Sequence, residues 1–600
     1  MAFRQNTKLS LFGKVKNFFN KNRAIILILF LGFCVYLNAL PDGFVWDDQG
    51  QIVNNLAIRE WGSLTQFFSS STFYGESGLY GSFYRPLVSL AYLLDYKIWE
   101  LNAFGFRLFQ VAVHLFDTAL VFLLIKKILE VQRVDKGDKI AALAALLFVV
   151  HPANVESVTF LGSVGEVLYT MFVLLALLVL IDGVDRQGRS VRDKNLSVSL
   201  ALVFCGLLAK ETAVVVLPII FLYLLLFVRP KLSTYVKFVA GSGLVAGIYM
   251  VLRVYVAHIH SQGYLSPIAA APIGERLLTI PYELVSYLGI IFFPRYLSIS
   301  RQFVVHSAAD PRFWASFIFL AVLGAATGWY VYRKRSLVLA FFALWSVVSL
   351  APALNIIPLE MTVAERWLYF PIIGVLAFVG IVAIDTAKGL SALKQKIGLG
   401  VLALVVLALF ALTVARNGNW KDNLALYSHD AAIESKVSPD GSFDLENNYG
   451  DALFRAGRIE EAKAHIERSI ALQPMQASAI CNLGAVLQYE GDLAGAEALF
   501  RKAAKSNYYP AYEDLGGVLI KEEKYDEAKD FLIRSLVMFP ADDRLKLQLA
   551  ALYAADNVSK DENDKQKARD LLSDILRDDP QNSEARQLLH MIDSGMNFAL

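Results

Sequence analysis

Apolar runs long enough to cross a lipid bilayer recur from residue 24 as far as Thr413, and they constrain the fold more than any other feature. Of the 600 residues, 56% are hydrophobic and only 19% are charged, and the mean hydropathy is +0.46. From Asn417 onward the chain is polar and rich in Ala, Leu, Glu and Lys. The sequence therefore predicts a polytopic helical membrane domain followed by a polar domain.

The basic N-terminus sets the orientation of the first span. Residues 1–23 carry six basic side chains, at Arg4, Lys8, Lys14, Lys16, Lys21 and Arg23. Because Lys and Arg accumulate in cytoplasmic loops, this segment is predicted to be cytoplasmic and the loop 41–103 extracytoplasmic. The run 24–40 is interpreted as an anchor rather than a signal peptide, since no small-x-small cleavage site precedes Pro41.

The same charge rule predicts the orientation of the remaining apolar runs in the membrane. It predicts eleven spans, at 24–40, 104–125, 139–151, 164–183, 197–209, 212–228, 235–256, 313–332, 337–353, 366–386 and 397–415. The segment 276–294 is predicted to be a re-entrant or interfacial element interrupted by Pro281, because a full crossing would place the basic "YRKRS" outside. The C-terminal domain then lies on the extracytoplasmic side.

Composition argues against several other classes of protein. A formal net charge of +2 without a basic stripe gives no reason to propose a nucleic-acid partner. The three cysteines, Cys34, Cys205 and Cys481, are too scattered for a disulfide framework or a zinc site.

Polar and ionisable residues close to the apolar runs gather on the predicted outer face. They are Asp47, Asp48, Tyr84, Arg85, His151, Asn154, Glu156, Glu166, Lys210, Glu211, Glu365 and Arg366. Charge at membrane depth is costly and normally faces a protein interior or a watery cavity. A single outward-facing polar cavity would explain all of these residues together.

Each of these residues also has a purely structural interpretation. Asp47 and Asp48 could be solvated loop acids, and Lys210 with Glu211 could be an ion pair that fixes two helices. His151 could cap a helix, Arg85 could anchor the chain at the interface, and Glu365 with Arg366 could simply begin a span. In the chemical interpretation, one carboxylate deprotonates a hydroxyl and the cations neutralise a departing phosphate.

The polar region carries internal repeats. Gly450 and Gly484 are 34 residues apart, as are Ala462 and Ala496, and Gly516 follows Gly484 after 32 residues. This spacing is typical of tetratricopeptide repeats, which are stacked helix pairs with a concave binding surface. After a linker at 417–442, we predict about four repeats over 443–582 and a capping helix over 583–600.

One position of the repeat carries a polar residue each time: Asn448, Asn482 and Asp514. These side chains could bind an extended acceptor peptide, or they could only fix the geometry between helices. The sequence leaves both interpretations open.

Five motifs taken together resemble a known family: "GFVWDDQGQIVNN", "YRPLVSLAYLLDY", "HPANVESVTFLGSVGEVL", "LAKETAVVVLPI" and "AERWLYFPIIG". In this order they are similar to the transmembrane and tetratricopeptide repeat O-mannosyltransferases, within the membrane-embedded C-superfamily of glycosyltransferases. The resemblance implies a C-superfamily domain over 24–416, an inverting reaction and a polyprenyl-phosphate sugar as donor. It also implies that Asp47 is the catalytic base with Asp48 as its partner, and that Arg85, Lys210 and Arg366 contact the donor phosphate. Glu166 departs from the family, which often has a basic residue at that position.

Three functions are compatible with these features. The first is transfer of a sugar, mannose by resemblance, from the lipid-linked donor to Ser or Thr of an extracytoplasmic protein. The second is a transferase or oligosaccharyltransferase of the same class that acts on a lipid, an envelope glycan or a pilin-like protein. The third is a membrane scaffold that displays the repeats without catalysis. The bacterial inner membrane is favoured over the endoplasmic reticulum, and whether a divalent metal joins Asp47 and Asp48 is left open.

Overall fold

A computed structural model of the chain describes residues 23–72, 83–185, 188–259, 266–540, 542–555, 558, 561–596, 598 and 600. The predicted cytoplasmic segment 1–23 therefore lies outside the described residues except for Arg23. The described part of the chain is helical and contains no strand, only two isolated bridges, Val184 to Val191 and Arg301 to Val363. The predicted all-α class is confirmed.

The N-terminal part is a bundle of apolar helices joined by short helical turns. Its helices are α1 Arg23–Tyr36, α2 Leu64–Ser69, α3 Pro86–Trp99, α4 Ala103–Val131, α5 Gly137–Val149, α6 Val155–Val158, α7 Val164–Asp182, α8 Asp193–Ala209, α9 Val216–Tyr223, α10 Leu232–Val251, α11 Pro267–Ala270, α12 Ile273–Phe292, α13 Pro311–Lys334, α14 Leu337–Leu350, α15 Pro371–Ala387 and α16 Ala392–Asn419. Short 3₁₀ or π turns lie at Leu37–Ala39, Gln49–Val53, Leu56–Arg59, Trp61–Ser63, Pro152–Asn154, Leu161–Ser163, Glu211–Val215, Leu224–Val228, Leu252–Val256, Ala351–Ala353 and Glu365–Leu368.

Local sequence chemistry explains where several of these helices begin. The side chains of Asn102, Asp310 and Ser391 each accept a hydrogen bond from a backbone N–H in the first turn of the helix that follows. Pro86 and Pro311 stand at the first helical position, where the missing N–H has no intrahelical partner to lose. The helix boundaries therefore follow directly from capping residues in the sequence.

Six helical segments are long and apolar enough to cross a membrane within the described residues. A seventh results if Gly137–Val149 and Pro152–Val158, which are bent by 57°, are counted as one span. Each of the eleven predicted spans coincides with a helix, but the count of eleven is not confirmed. Three of the remaining helices, such as Pro371–Ala387, are apolar but shorter than a full crossing.

Three long apolar helices lie at the periphery of the bundle. In the most apolar windows of Leu232–Val256 and Pro311–Lys334 only 6% of the residues are buried, and in Ala392–Asn419 only 11%. Apolar helices that are so exposed require a hydrocarbon environment, because water would not tolerate a continuous apolar face of this size. The chain is accordingly a multi-pass membrane protein.

The predicted interruption at Pro281 is wrong, because α12 is continuous through that residue. Proline removes one backbone hydrogen bond, but the helix on both sides is held by a buried face that includes Thr279, Glu283 and Tyr287. With 20 residues this helix is long enough to be a span, but it is too polar and is not among the helices that could cross a membrane.

The C-terminal part is a stack of antiparallel helix pairs. The pairs are α18 Phe443–Arg455 with α19 Ile459–Leu472, α20 Ala477–Glu490 with α21 Leu493–Ala504, α22 Pro510–Lys521 with α23 Tyr525–Met538, and α24 Asp543–Ala554 with α25 Glu562–Asp578. The helix α17 Asn423–Val437 precedes them and α26 Ser583–Asp593 follows. A Cβ atom added to Gly484 would lie 2.6 Å from the ring of Phe500, so glycine permits the close approach of α20 and α21.

The membrane domain and the stack are joined by an extended segment at residues 298–304. Side chains from the segment before the first repeat bind its backbone. Asp430 accepts from the N–H of Ile299 at 2.7 Å, and Ser438 accepts from the N–H of Gln302 at 2.9 Å. The hydroxyls of Ser300 and Ser442 also meet at 2.8 Å. These bonds fix where the first repeat helix begins relative to the outer end of the membrane bundle.

Candidate active site

The first outer loop places its two adjacent acids in different environments. The Asp48 side chain is fully buried, and its two oxygens accept the backbone N–H groups of Val45 at 2.9 Å and Gly162 at 2.8 Å. Asp47 is exposed. Asp48 therefore ties the loop to the turn Leu161–Ser163, and Asp47 is the acid of the pair that can meet a substrate.

Burial is the main influence on the Asp48 carboxyl and raises its pKa to about 7. The two backbone N–H groups and the guanidinium of Arg107 act in the opposite direction, because they stabilise the carboxylate. Both oxygens of Asp48 are already occupied by N–H donors. Within the described residues, no group of three or more His, Cys, Asp or Glu could hold a metal ion.

Trp46 holds the loop in an unusual backbone conformation directly before Asp47. Its φ is +57°, in the left-handed region that non-glycine residues seldom adopt. The conformation is fixed by a 2.8 Å hydrogen bond from its N–H to the Asn423 side chain. Its ring stacks on Phe160, with 5.0 Å between the ring centroids. Strained residues of this kind persist where the surrounding structure fixes them, often at functional sites.

Arg107 is a buried cation that the sequence analysis did not single out. From α4 its guanidinium donates to the carbonyl oxygens of Asp42 at 2.5 Å, Gly43 at 2.8 Å and Thr159 at 3.1 Å. It thus holds both the chain that leads into the acid pair and the segment before the Leu161–Ser163 turn. The available signal was a lone arginine inside an apolar run, since charge at that depth normally has a fixed partner.

Each of the three predicted phosphate contacts is paired with a carboxylate. Arg85 makes a bidentate contact with Glu211, in which Nη2 donates to Oε1 at 2.7 Å and Nε donates to Oε2 at 3.1 Å. The Lys210 ammonium pairs with Glu166, and both side chains are buried. Glu166 is thus the counter-ion of Lys210, which gives a structural reason for an acid at the position where the family often has a basic residue.

Arg366 is held by two glutamates at once. Its Nη1 bonds Glu156 at 2.5 Å, its backbone N–H bonds the same carboxylate at 2.9 Å, and its Nη2 bonds Glu360 at 2.5 Å. Glu166 lies within electrostatic reach of both Arg366 and Arg85. The three cations and their acids therefore form one continuous cluster at one end of the bundle.

The acid loop and the cationic cluster meet at an aromatic residue. The guanidinium carbon of Arg366 lies 5.6 Å from the ring centroid of Trp46, which is the residue before Asp47. A cation at this distance is attracted to the face of the indole. The fold therefore brings Asp47 and Arg366 to the same site, although they are far apart in the sequence.

Two other predicted cavity residues, Tyr84 and His151, have local structural contacts. The hydroxyl of Tyr84 donates to the carbonyl of Phe68 at 2.9 Å. His151 accepts the Ala153 N–H through Nδ1 at 3.2 Å, and its Nε2 meets the carbonyl oxygen of Ile291 at 2.9 Å. These contacts account for His151 as a capping group of the Pro152–Asn154 turn, which was its structural interpretation.

Glu365 belongs to a second buried cluster rather than to the phosphate-binding set. It accepts the Ser298 N–H and lies 3.7 Å from both Arg301 and Arg416. Arg416 in turn bonds Asp430 at 3.0 Å. Because Asp430 is on α17, this cluster connects the membrane domain to the segment that carries the repeats.

The repeat positions Asn448, Asn482 and Asp514 lie in a row on α18, α20 and α22 and are partly buried. Asn482 donates to Asn447 on the preceding first helix at 2.9 Å, and Asp514 accepts from Cys481 at 3.2 Å. These bonds link neighbouring repeats, and each of the three side chains also keeps some surface exposed to solvent.

Asp444, at the start of α18, lies beside the mouth of the site. It accepts a 3.1 Å hydrogen bond from Gln476. Burial, followed by repulsion from Glu360 and Asp47, raises the pKa of Asp444 to about 7. The first repeat is therefore close enough to the acid loop for their charges to interact.

This raised pKa predicts a pH dependence of stability. Between about pH 4 and pH 7 the folded chain binds more protons at Asp444 than the unfolded chain, so this residue makes folding less favourable as pH rises through that window. We expect the melting temperature of the wild type to fall relative to that of Asp444→Asn over this range. Melting temperatures measured at several pH values over this range would test the prediction, with Asp451→Asn as the control on the same helix. Parallel curves for wild type and Asp444→Asn would contradict it.

The chain is similar in sequence to known protein O-mannosyltransferases and to tetratricopeptide repeats. A profile described as dolichyl-phosphate-mannose-protein mannosyltransferase matches residues 86–255, and two tetratricopeptide profiles match 447–474 and 476–506. Protein O-mannosyl-transferase TMTC3 of Mus musculus is 25% identical over 506 residues, which are 77% of this chain and 52% of the mouse protein. TMTC3 of Homo sapiens is 26% identical over 500 residues, which are 77% and 53% of the two chains.

Over 77% of its length the chain is similar to these TMTC3 protein O-mannosyl-transferases. The matched profiles also confirm that the first two C-terminal helix pairs, α18 with α19 and α20 with α21, are tetratricopeptide repeats. The chain spans about half the length, or less, of the curated relatives that it matches, including 32% of Drosophila melanogaster Tmtc3 at 24% identity over 46% of this chain. Among solved structures, ArnT from Cupriavidus metallidurans bound to undecaprenyl phosphate aligns over 80% of both chains, with 13% identity and a TM-score of 0.39.

Proposed function

We propose that the chain is an inverting glycosyltransferase that moves mannose from a polyprenyl-phosphate donor to a Ser or Thr hydroxyl of an extracytoplasmic protein. The observation that carries the proposal is the position of the exposed Asp47 next to Trp46, whose ring lies against Arg366. A base and a phosphate-binding cation on one site are what the reaction requires. The similarity to proteins named as O-mannosyl-transferases supports the choice of mannose.

The reaction needs one proton transfer and one bond exchange at the anomeric carbon. The acceptor hydroxyl loses its proton to Asp47 while its oxygen forms a bond to the anomeric carbon. The bond from that carbon to the phosphate oxygen breaks, and the polyprenyl phosphate leaves with the bonding electrons and an additional negative charge. Arg366, Lys210 and Arg85 stabilise that charge, and displacement from the opposite face inverts the anomeric configuration.

Asp48 and the paired glutamates have supporting roles in this scheme. Asp48 keeps the loop closed on Gly162, so that Asp47 stays directed outward. Glu156, Glu166 and Glu211 hold the three cations in place at a depth where unpaired charge would be costly. Preorganised cations of this kind stabilise charge without having to move during the reaction.

A transfer assay tests the proposal directly. The full chain in nanodiscs would receive radiolabelled undecaprenyl-phosphate-mannose or dolichyl-phosphate-mannose together with a panel of Ser/Thr-rich peptides. We expect label on a peptide hydroxyl with inverted anomeric configuration. Folded protein that transfers mannose from neither donor to any peptide would contradict the function, and preferential transfer to lipid or glycan would favour the second candidate substrate class.

The orientation of the domain is also part of the proposal. The basic loops predict that the site and the repeats face the extracytoplasmic side, in a bacterial inner membrane or in the endoplasmic reticulum. Protease added to the extracytoplasmic side of sealed vesicles should remove the repeats and leave the membrane domain. Complete protection of the repeats would overturn this orientation.

We further propose that the row Asn448, Asn482 and Asp514 binds acceptor peptide. We expect Asn482→Ala to raise the KM for a peptide acceptor several-fold while kcat and the KM for donor stay unchanged, because only acceptor binding is lost. Gln566→Ala, which removes an exposed amide from the last pair, is the control. An unchanged acceptor KM in Asn482→Ala would assign this row to helix packing alone.

A further inference from the structure

Arg366 has two carboxylate partners that differ in how they are held. Glu156 is fully buried in α6 and binds both the guanidinium and the backbone N–H of Arg366. Glu360 binds only Nη2, and its side chain is 38% exposed in the segment between Ala353 and Glu365. Glu156 is thus a fixed part of the site, whereas Glu360 can leave toward solvent without breaking the buried pair.

Nearby negative charges weaken the attraction between Glu360 and Arg366. Arg366 carries one positive charge and faces two carboxylates, so this group of three carries one excess negative charge. Asp444 also lies within electrostatic reach of Glu360 and repels it. Of the two carboxylate contacts to Arg366, the ion pair with Glu360 is therefore the one that solvent screens more and that a neighbouring acid opposes.

Glu360 bonds Nη2 of Arg366, which is the nitrogen that a donor phosphate would need. Arg366 donates Nη1 and its backbone N–H to the buried Glu156, whereas Nη2 bonds the partly exposed Glu360 and lies 3.9 Å from the Sδ of Met361. A carboxylate and a phosphodiester both present planar or near-planar oxygen pairs with one negative charge to arginine. Replacement of Glu360 by the donor would leave the local charge unchanged.

We propose that Glu360 occupies the donor-phosphate position on Arg366 and must be displaced before a lipid-linked donor can bind. This inference rests on the proposed function and adds a gate to the same site. After transfer, the departing lipid phosphate competes with the returning Glu360 carboxylate for Nη2. Glu360 thereby opposes retention of the product as well as premature occupation by other anions.

Direct binding of lipid phosphates tests the gate without relying on catalysis. Full-length wild type, Glu360→Gln and Glu275→Gln would be titrated in nanodiscs with undecaprenyl phosphate and with dolichyl phosphate. Glu275 is the matched control, because it is a partly exposed acid at the same end of the domain that pairs with His306 instead of Arg366. Thermal melting of each variant verifies that it is folded.

We expect Glu360→Gln to lower the Kd for polyprenyl phosphate by about tenfold and Glu275→Gln to leave it unchanged. Binding of polyprenyl phosphate by Glu360→Gln but not by wild type would also support the gate. Equal or weaker binding by Glu360→Gln, with wild type binding normally, would overturn the gate and leave the proposed function intact. If neither wild type nor Glu360→Gln binds either lipid, both the gate and the lipid-linked donor are wrong.

Discussion

The Asp47→Asn variant is expected to lose transfer activity by about 100- to 10,000-fold, the range that a general base contributes. Asparagine has nearly the same shape but cannot accept the proton of the acceptor hydroxyl. Because Asp47 is exposed, the melting temperature should remain close to that of wild type. Transfer of radiolabelled mannose under single-turnover conditions measures the effect, and binding of polyprenyl phosphate should be retained.

Asp48→Asn is the informative comparison for this variant. The amide would keep one oxygen acceptor but would present an NH₂ group to one of the two backbone N–H donors, Val45 or Gly162. We expect the melting temperature to fall, with a loss of stability of about 1–3 kcal/mol for the unsatisfied group. If Asp48→Asn lost all activity at full stability while Asp47→Asn remained active, the assignment of the base to Asp47 would be wrong.

Arg107→Gln is expected to destabilise the folded protein more than either substitution in the acid pair. It removes a buried guanidinium that donates to three backbone carbonyls, those of Asp42, Gly43 and Thr159. Each buried acceptor left without a partner costs about 1–3 kcal/mol, so the loss of stability should exceed about 3 kcal/mol. The loop that carries Asp47 would also shift, and a displacement of about 1 Å is enough to reduce a rate about 100-fold.

Arg59→Gln provides the control for this prediction. Arg59 also donates to a backbone carbonyl of the outer loop, that of Val53 at 2.8 Å, but it makes one such bond and is only partly buried. Its replacement should change the melting temperature and the transfer rate little. Equal effects of the two substitutions would show that Arg107 does not hold the acid loop in the way the structure indicates.

Much of the candidate site could be anticipated from residue type and position. Ionisable residues next to apolar runs are rare and costly, so Arg85, Glu156, Glu166, Lys210, Glu211 and Arg366 were identified before their partners were known. The partners themselves were not predictable. The structural interpretation of Lys210 paired it with its neighbour Glu211, yet it pairs with Glu166 while Glu211 binds Arg85. Adjacent residues in a short turn point in different directions, so contiguity in sequence did not decide contact.

The same reason explains why Glu365 and Arg366 separate. They are consecutive in the Glu365–Leu368 turn, but Glu365 faces Arg301 and Arg416 and Arg366 faces Glu156 and Glu360. Glu360 and Arg107 were missed for related reasons. Glu360 lies in a loop without a recognisable pattern, and Arg107 bonds to backbone carbonyls, which have no signature in a sequence.

The sequence by itself determined the division into an apolar helical membrane domain and a tetratricopeptide stack, because hydropathy and repeat spacing are local properties of the chain. It also located the acid pair and the cations. Only the tertiary structure decided which acid is buried, which carboxylate holds each cation and which of them faces the solvent. Those contacts join residues 44 to 210 positions apart, and they exist because charges at the edge of a membrane must find partners wherever the packing of the helices provides them.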